Sequence, residues 1–266
     1  MNRSNRFWVV VLFLAPGLGM PPLLRAQSPF DGTWHTNLEQ AKFSSKPIDV
    51  SLQNGVYECS SCNPKIRVKA DGQDQPVSGQ PYDTISVREV DSKSIEIVTK
   101  KNGKPASEQT RVVSDDGQAM TVRTTTHSES SDQTVTSGAT LTRIGTAPAG
   151  ANATSGSWRI DKVGQSENGF DVTYKSDGDG LSMSTPSGES YTAKLDGKYY
   201  PVKGAYAYDS VSLKRIDDHT IEETDRRDGT VVQISTMTVA SDGKTMTVVA
   251  KSALSGRTST YVAQKQ

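Results

Sequence analysis

The sequence has few cysteines, few aromatic residues, no long apolar segment and no excess charge of either sign. Its 266 residues include two Cys, and aromatic residues make up 6%. The 30 basic and 30 acidic side chains balance, which excludes a nucleic-acid binder that relies on surplus Lys and Arg to release counterions. Two thiols without nearby partners do not complete a four-ligand metal site. Neither a metal site nor a cofactor is therefore predicted.

The N-terminal segment has the features of a cleaved signal peptide. Arg3 and Arg6 precede the apolar run 7–14, which is too short to span a bilayer. We therefore expect residues 1–26 to be removed and the protein to be exported to the periplasm or the extracellular space, with no membrane span. Loss of the three Arg residues in this segment leaves 27 basic and 30 acidic side chains, a net charge of −3.

The remaining chain has the composition of a β protein. Residues 27–266 contain 21 Val and 7 Leu, and β-branched residues favour strands. In the run 94–99, Ile95 and Ile97 are expected on one face of a strand and Glu96 on the other. Asn-Gly and Asp-Gly pairs tolerate the positive φ angles of tight hairpin turns. The predicted turns are Asn102-Gly103, Asp116-Gly117, Asp228-Gly229 and Asp242-Gly243.

The chain is a tandem duplication. Residues 82–125 align without a gap with residues 208–251, with 14 identities in 44 pairs. The two predicted domains cover residues 28–144 and 156–266, and the small-residue stretch 145–155 is predicted to be a flexible linker. Antiparallel strands with one buried face must hide their edges. Each domain is therefore predicted to be all-β and to form a small antiparallel up-and-down barrel, with a two-sheet sandwich as the alternative.

Each repeat contains one Trp in a Gly-x-Trp motif, at Gly32-Thr-Trp34 and at Gly156-Ser-Trp158. This motif resembles the lipocalin (calycin) signature at the start of the first barrel strand. The resemblance implies that each Trp closes one end of the barrel of its own repeat. It also implies that a basic residue of the last strand, Arg143 or Lys265, covers the indole. The whole chain further resembles uncharacterised secreted bacterial proteins that share its Tyr-Glu-Cys-Ser-Ser-Cys and Lys-x-Asp-Gly segments.

The two cysteines are Cys59 and Cys62, three residues apart. Export and a four-residue turn favour a structural disulfide between them. A redox-active pair would need the first Cys at a helix N-terminus, whereas the segment that follows is predicted to be a strand. The second repeat has Ser184 and Ser187 at these positions, so the fold does not require the bridge.

A candidate ligand site is predicted in the second repeat. Glu223 takes the place of Ile97, which is expected to face inward, so Glu223 is expected to face the lumen and to contact a polar ligand or water. A solvent-filled barrel mouth or a local twist of the strand would also explain an acid at this position. A cluster of tyrosines nearby offers amphipathic rings to a ligand, although filling a thin core would explain the same residues. These candidate binding residues are Tyr199, Tyr200, Tyr206 and Tyr208.

The sequence contains no residue pattern that indicates catalysis. None of the three His is shared by both repeats, and no catalytic residue is predicted, although a hydrolase or isomerase site assembled from distant strands stays open. The sequence predicts an exported, non-catalytic binding protein for a small apolar or amphipathic ligand. The alternative is an envelope structural or protein-interaction module whose barrels are filled.

Overall fold

The computed structural model describes residues 28–165 and 170–266, and within these ranges every regular element is a β-strand. The predicted all-β class is confirmed, whereas the predicted signal peptide lies outside the described residues. No helix in the described ranges is long and apolar enough to cross a bilayer. The strands of the first repeat are β1 (Gly32–Lys42), β2 (Ile48–Gln53), β3 (Val56–Cys59), β4 (Ile66–Lys69), β5 (Gln75–Pro76), β6 (Thr84–Asp91), β7 (Ser94–Lys101), β8 (Lys104–Val113), β9 (Ala119–His127) and β10 (Thr134–Ile144). Those of the second are β11 (Gly156–Gln165), β12 (Asp171–Asp177), β13 (Gly180–Ser184), β14 (Ser190–Lys194), β15 (Asp196–Lys203), β16 (Ser210–Arg215), β17 (Thr220–Arg227), β18 (Thr230–Val239), β19 (Thr245–Ser252) and β20 (Thr258–Lys265).

The predicted turns lie between consecutive strands. Asn102-Gly103 and Asp228-Gly229 form two-residue connections in which both residues have positive φ angles, between 49° and 79°. This conformation matches the twist of the two strands that each turn joins. The loops after β8 and β18 contain the other two predicted pairs. The repeated turn chemistry therefore produces the same meander in both halves of the chain.

The strands form two antiparallel ten-stranded sheets, as the predicted barrel fold requires. One sheet contains β1 and β12–β20 and is closed; we call it the closed barrel. The other contains β2–β11 and has β4 and β5 as its two unpaired edges; we call it the open barrel. The counterparts of those edges, β14 and β15, pair in the closed barrel. The open barrel is therefore nearly closed, with its seam at a position where the other barrel is joined.

The first strand of each repeat is exchanged between the barrels. In the closed barrel Trp34 on β1 pairs with Val172 and Lys265 of the second repeat. In the open barrel Trp158 on β11 pairs with Ile48 and Arg143 of the first repeat. The expectation that each Trp closes the barrel of its own repeat is therefore wrong. Strands that are consecutive in the chain tend to be neighbours, and β10 and β11 follow this tendency, which leaves β1 for the equivalent place in the other barrel.

In the segment 145–155 that connects the repeats, residues 145–150 are exposed, whereas residues 151–155 pack against the open barrel. The expectation of a flexible linker is therefore wrong for residues 151–155. The side chain of Asn152 is 7% exposed and donates to Glu89 Oε1 at 2.9 Å and to the Asp91 carbonyl at 2.7 Å. The Ser155 hydroxyl accepts from the Leu52 backbone N–H at 2.7 Å. Small polar residues here satisfy buried backbone and side-chain groups instead of providing freedom.

Both tryptophans have the same environment. The indole N–H of Trp34 donates to the Phe30 carbonyl at 2.7 Å, and that of Trp158 to the Thr154 carbonyl at 2.9 Å. The Lys265 ammonium lies 4.9 Å from the Trp34 ring centre, and the Arg143 guanidinium 4.1 Å from that of Trp158. Each barrel thus has one end filled by an indole under a cation, and both partners sit on adjacent strands from different repeats.

The sulfur atoms of Cys59 and Cys62 form a disulfide, as predicted. The bridge lies at the end of β3, where Cys59 is part of the apolar core of the open barrel. It therefore links the end of one strand to the loop before β4.

The glycine of each Gly-x-Trp motif has a φ near +126°, a conformation open almost only to Gly. A Cβ at Gly156 would lie 2.6 Å from Arg143 Nη1, whereas a Cβ at Gly32 would lie 3.4 Å from the nearest atom of Lys265. Arg143 also donates to the carbonyls of Ser155 and Ala153, at 2.7 and 2.6 Å.

We expect both Gly→Ala variants to lose about 1 to 3 kcal/mol from backbone strain. Gly156→Ala should lose about 1 to 2 kcal/mol more, because it also displaces a hydrogen-bonded guanidinium. Thermal unfolding of the two variants side by side measures the difference. Equal losses would contradict the role assigned to the contact between Arg143 and Gly156.

Candidate functional site

The lumen of the closed barrel contains a cavity of about 190 Å³. Strand alternation directs every second side chain of β1, β12 and β17–β20 into it. The residues that line the cavity are of two chemical kinds, an apolar set and a polar set, which are called its apolar and polar walls. The apolar wall includes Trp34, Met237, Met246, Val248 and Ala263, and the polar wall includes Glu223, Gln233 and Ser235. The cavity therefore presents apolar surface and hydrogen-bonding groups to the same volume.

Glu223 lies on the polar wall and is held by a tyrosine from across the lumen. The Tyr191 hydroxyl, on β14, donates to Glu223 Oε2. Burial raises the pKa of Glu223 to about 7; the Glu189 charge adds to this rise, and the bond from Tyr191 opposes it. Burial, together with the Glu223 charge, also raises the pKa of the Tyr191 hydroxyl well above its usual value. Tyr191 therefore stays a hydrogen-bond donor while the carboxyl changes its protonation near neutral pH.

Asp225 lies two residues further along β17, on the same inward face. Its side chain is 2% exposed; Oδ2 accepts from Gln233 Nε2 at 3.3 Å, and Oδ1 has no hydrogen-bond partner. Burial raises the pKa of Asp225 to about 8, and the charges of Glu223 and Glu189 add to this effect. The lumen thus contains a buried carboxyl group with one oxygen left unsatisfied.

Two further tyrosines and a third carboxyl complete the polar region. The Tyr208 hydroxyl donates to Glu189 Oε1, and burial raises the pKa of Glu189 despite this bond. The Tyr174 hydroxyl donates to Met237 Sδ at 3.3 Å. Burial raises the pKa of both hydroxyls, so both stay protonated at neutral pH. The site therefore has three carboxyls with raised pKa values and three neutral phenols.

The residues predicted to bind a ligand occupy different places. Glu223 is on the cavity wall, and Tyr208 contacts Glu189 beside it. Tyr200 packs against the core of the closed barrel, and its hydroxyl donates to Asp196 at 3.0 Å. Tyr199 lies outside, under the Arg226 guanidinium. The fifth residue, Tyr206, lines a separate cleft between the barrels. The structure brings together only two of the five.

Four residues of the site were missed by the sequence analysis: Tyr174, Tyr191, Glu189 and Asp225. The alternation that directs Glu223 inward also directs Asp225 inward, so this signal was present in the sequence. Tyr174 and Tyr191 lie in short strands whose sequences do not indicate which face points inward. Only the structure shows that both are buried, at 7% and 4% exposure. Glu189 precedes β14 in a loop, where no periodic pattern reports which way a side chain points.

The open barrel has a different interior at the equivalent positions. Equivalent positions of the two repeats are 126 residues apart. Ile97 of the open barrel corresponds to Glu223, and Thr99 corresponds to Asp225. Met237 is replaced by Arg111, which donates to the Tyr57 hydroxyl at 3.1 Å and to Gln109 Oε1 at 2.6 Å. The same strand order thus forms without the buried acids, so the meander up to the seam of the open barrel does not require them.

A larger cleft of about 440 Å³ lies where loops of the closed barrel meet strands of the open barrel. Tyr82 and His127 line it from one side, and Glu189 and Tyr206 from the other. Val172 borders both this cleft and the lumen cavity. The cleft is larger, but the buried carboxyls Glu223 and Asp225 belong to the lumen. We therefore treat the lumen as the candidate site and the cleft as its neighbour.

Within the described part of the chain, no three His, Cys, Asp or Glu side chains are grouped so that they could hold a metal ion. Comparison of the chain with protein-family models, with curated proteins and with solved structures finds no match to any of them.

Proposed function

We propose that the protein is an exported, non-catalytic binding protein that holds a small amphipathic molecule in the lumen of the closed barrel. The observation that carries the proposal is the cavity of about 190 Å³, which is lined by both apolar and polar side chains. Ligand sites are typically concave and mostly apolar, with a few polar groups that fix orientation. The lumen has this arrangement.

The size of the cavity limits the ligand. An apolar protein cavity of about 150 Å³ holds benzene, so a volume of about 190 Å³ suits one ring with a short polar substituent. Glu223 and Gln233 then contact the polar end of the ligand, and Trp34 and Met246 contact its apolar end. A long-chain lipid does not fit in this volume.

Export is supported by the disulfide between Cys59 and Cys62, since such bridges persist mainly in oxidising compartments. The Gly-x-Trp motif under a basic residue supports a lipocalin-like origin for both barrels. The open barrel supports a scaffold role, because Trp158 and an apolar cluster fill its interior. If both barrels acted only as filled scaffolds and bound no ligand, the protein would be an envelope interaction module.

Native mass spectrometry of the protein purified from the periplasm without denaturation tests this proposal. We expect a bound small molecule that solvent extraction releases. Ala250→Leu fills the lumen from β19 and should abolish the bound mass, whereas Thr124→Leu, at the equivalent position of the open barrel, should retain it. A bare chain mass before and after extraction would instead favour the interaction module.

A further inference from the structure

We propose that the lumen of the closed barrel selects a small organic cation, an ammonium group on an aromatic or other compact apolar body. Glu223 and Asp225 are the anionic partners of this group. The inference rests on the proposed binding function and specifies the chemistry of its ligand. It is carried by the unsatisfied carboxyl oxygen of Asp225, by the lack of a basic partner for either acid among the described residues, and by the aromatic rings that line the cavity.

The first argument is the unsatisfied Asp225 oxygen. Oδ1 has no hydrogen-bond donor within the described residues, although the side chain is 2% exposed. A buried acceptor without a donor is costly, and a buried charge without a partner more so. An ammonium group supplies up to about three N–H donors together with the opposite charge. Gln233, which donates to Asp225, lines the cavity. An ammonium group that reaches past Gln233 would therefore supply a donor that the described residues do not.

The second argument is the set of groups that face Glu223 and Asp225. Their neighbours on β16 are Leu213 and Val211, and on β18 Ser235 and Gln233. The titratable groups of the surrounding elements are acids or phenols, and none of them carries a positive charge. These groups are Glu189, Tyr174, Tyr191, Tyr208 and Tyr261.

Basic side chains near these groups have other partners. In the described ranges, no Lys, Arg or His lines the lumen cavity or forms an ion pair with Glu223 or Asp225. Arg226 follows Asp225 but points to the outer face, 3.5 Å from the Tyr199 ring centre. The Lys265 ammonium donates to the Pro29 carbonyl at 3.1 Å. When Glu223 and Asp225 are ionised, no basic side chain of the described residues is therefore paired with them.

The third argument is the aromatic lining. Trp34, Tyr174 and Tyr261 contribute to the cavity wall, and the face of an aromatic ring attracts a desolvated cation. No group of His, Cys, Asp and Glu in the described residues has the ligand number that a metal ion needs. The apolar wall instead fits an organic body. The combination of carboxylates and rings thus favours an amine over an inorganic cation.

Calorimetric titration of the exported chain with three probes of equal size tests the inference. The probes are benzylamine, which is cationic, benzyl alcohol, which is neutral, and benzoate, which is anionic. At about pH 8 we expect benzylamine to bind at least about tenfold more tightly than benzyl alcohol, and benzoate not to bind. Between about pH 8 and pH 6 the affinity for benzylamine should fall about tenfold, because protons compete for a carboxyl with a pKa of about 7. Benzyl alcohol should bind equally at both pH values.

The double variant Glu223→Gln and Asp225→Asn keeps the shape and removes the charge. It should lose the preference for benzylamine and its pH dependence while keeping benzyl alcohol binding. A second double variant, Glu223→Ile and Asp225→Thr, carries the residues of the open barrel and guards against a folding defect in the first. Equal binding of benzylamine and benzyl alcohol by the wild type would overturn cation selection but leave lumen binding intact. Failure of all three probes to bind would overturn both.

Discussion

Trp34→Ala is expected to destabilise the closed barrel by about 3 to 5 kcal/mol, although the other nine strands of that barrel belong to the second repeat. Trp34 is 1% exposed and lies in the core of that barrel. Its loss removes the packing of the indole, its bond to the Phe30 carbonyl and its contact with Lys265. The residual cavity adds to the cost because the surrounding strands relax only partly.

Hydrogen exchange followed by mass spectrometry locates the damage along the chain. In the Trp34→Ala variant, exchange should accelerate in β12–β20 and change little in β2–β10, because local opening reports local stability. Trp158→Ala is the matched control and should show the reverse pattern. Faster exchange mainly in β2–β10 after the Trp34 substitution would contradict the strand exchange between the barrels.

The sequence predicted local features that depend on few residues. The register of the duplication, the Asn-Gly and Asp-Gly turns and the inward face of Ile95 and Ile97 all follow from turn geometry and strand alternation. Ile95 is fully buried and Ile97 is 6% exposed. Each of these predictions concerns neighbours in the chain or in a hairpin.

The exchange of β1 and β11 between the barrels could not be predicted from local sequence patterns. The two Gly-x-Trp segments are equivalent, so each strand matches the edges of either barrel, and the pattern alone does not choose between them. The packing of the connecting segment against the open barrel was not predicted for a related reason. Its small residues bury little apolar surface, but Asn152 and Ser155 form specific hydrogen bonds that no periodic pattern predicts.

In the candidate site, too, a feature of one strand was predicted and a contact between distant strands was not. Glu223 was predicted to face inward because Ile97 occupies its place in the other repeat, and the structure places it on the cavity wall. Tyr191, which donates to it, comes from β14, which is three strands away from β17 in the closed barrel. Contacts across a lumen depend on barrel closure and on strand number, and neither is encoded by the alternation of one strand.

Glu223→Gln is expected to stabilise the ligand-free protein at about pH 8 by up to about 3 kcal/mol and to change it little at about pH 4. Burial raises the pKa of Glu223 from 4.5 to about 7 in the folded state, so the folded protein binds more protons than the unfolded chain between these values. The contribution of this group to stability is therefore complete below about pH 4.5 and is lost as the pH rises through about 7. A neutral amide keeps the bond from Tyr191 and removes the titration. The excess stability of the variant should thus grow with pH.

Chemical denaturation at a series of pH values measures this difference between wild type and variant. The histidines and the exposed carboxylates are common to both chains, so their titration cancels in the difference. Glu222→Gln is the matched control, because Glu222 is adjacent on β17 but lies on the opposite face of the strand. It should change the free energy of unfolding by less than about 0.5 kcal/mol at every pH. If Glu223→Gln behaved in the same way, the carboxyl of Glu223 would not be desolvated in the lumen, and the electrostatic basis for cation binding would be lost.

Benzylamine added to the wild type at about pH 8 should raise its free energy of unfolding and so reduce the stability advantage of Glu223→Gln. The reason is that a bound cation stabilises the ionised carboxylates and binds only the folded state.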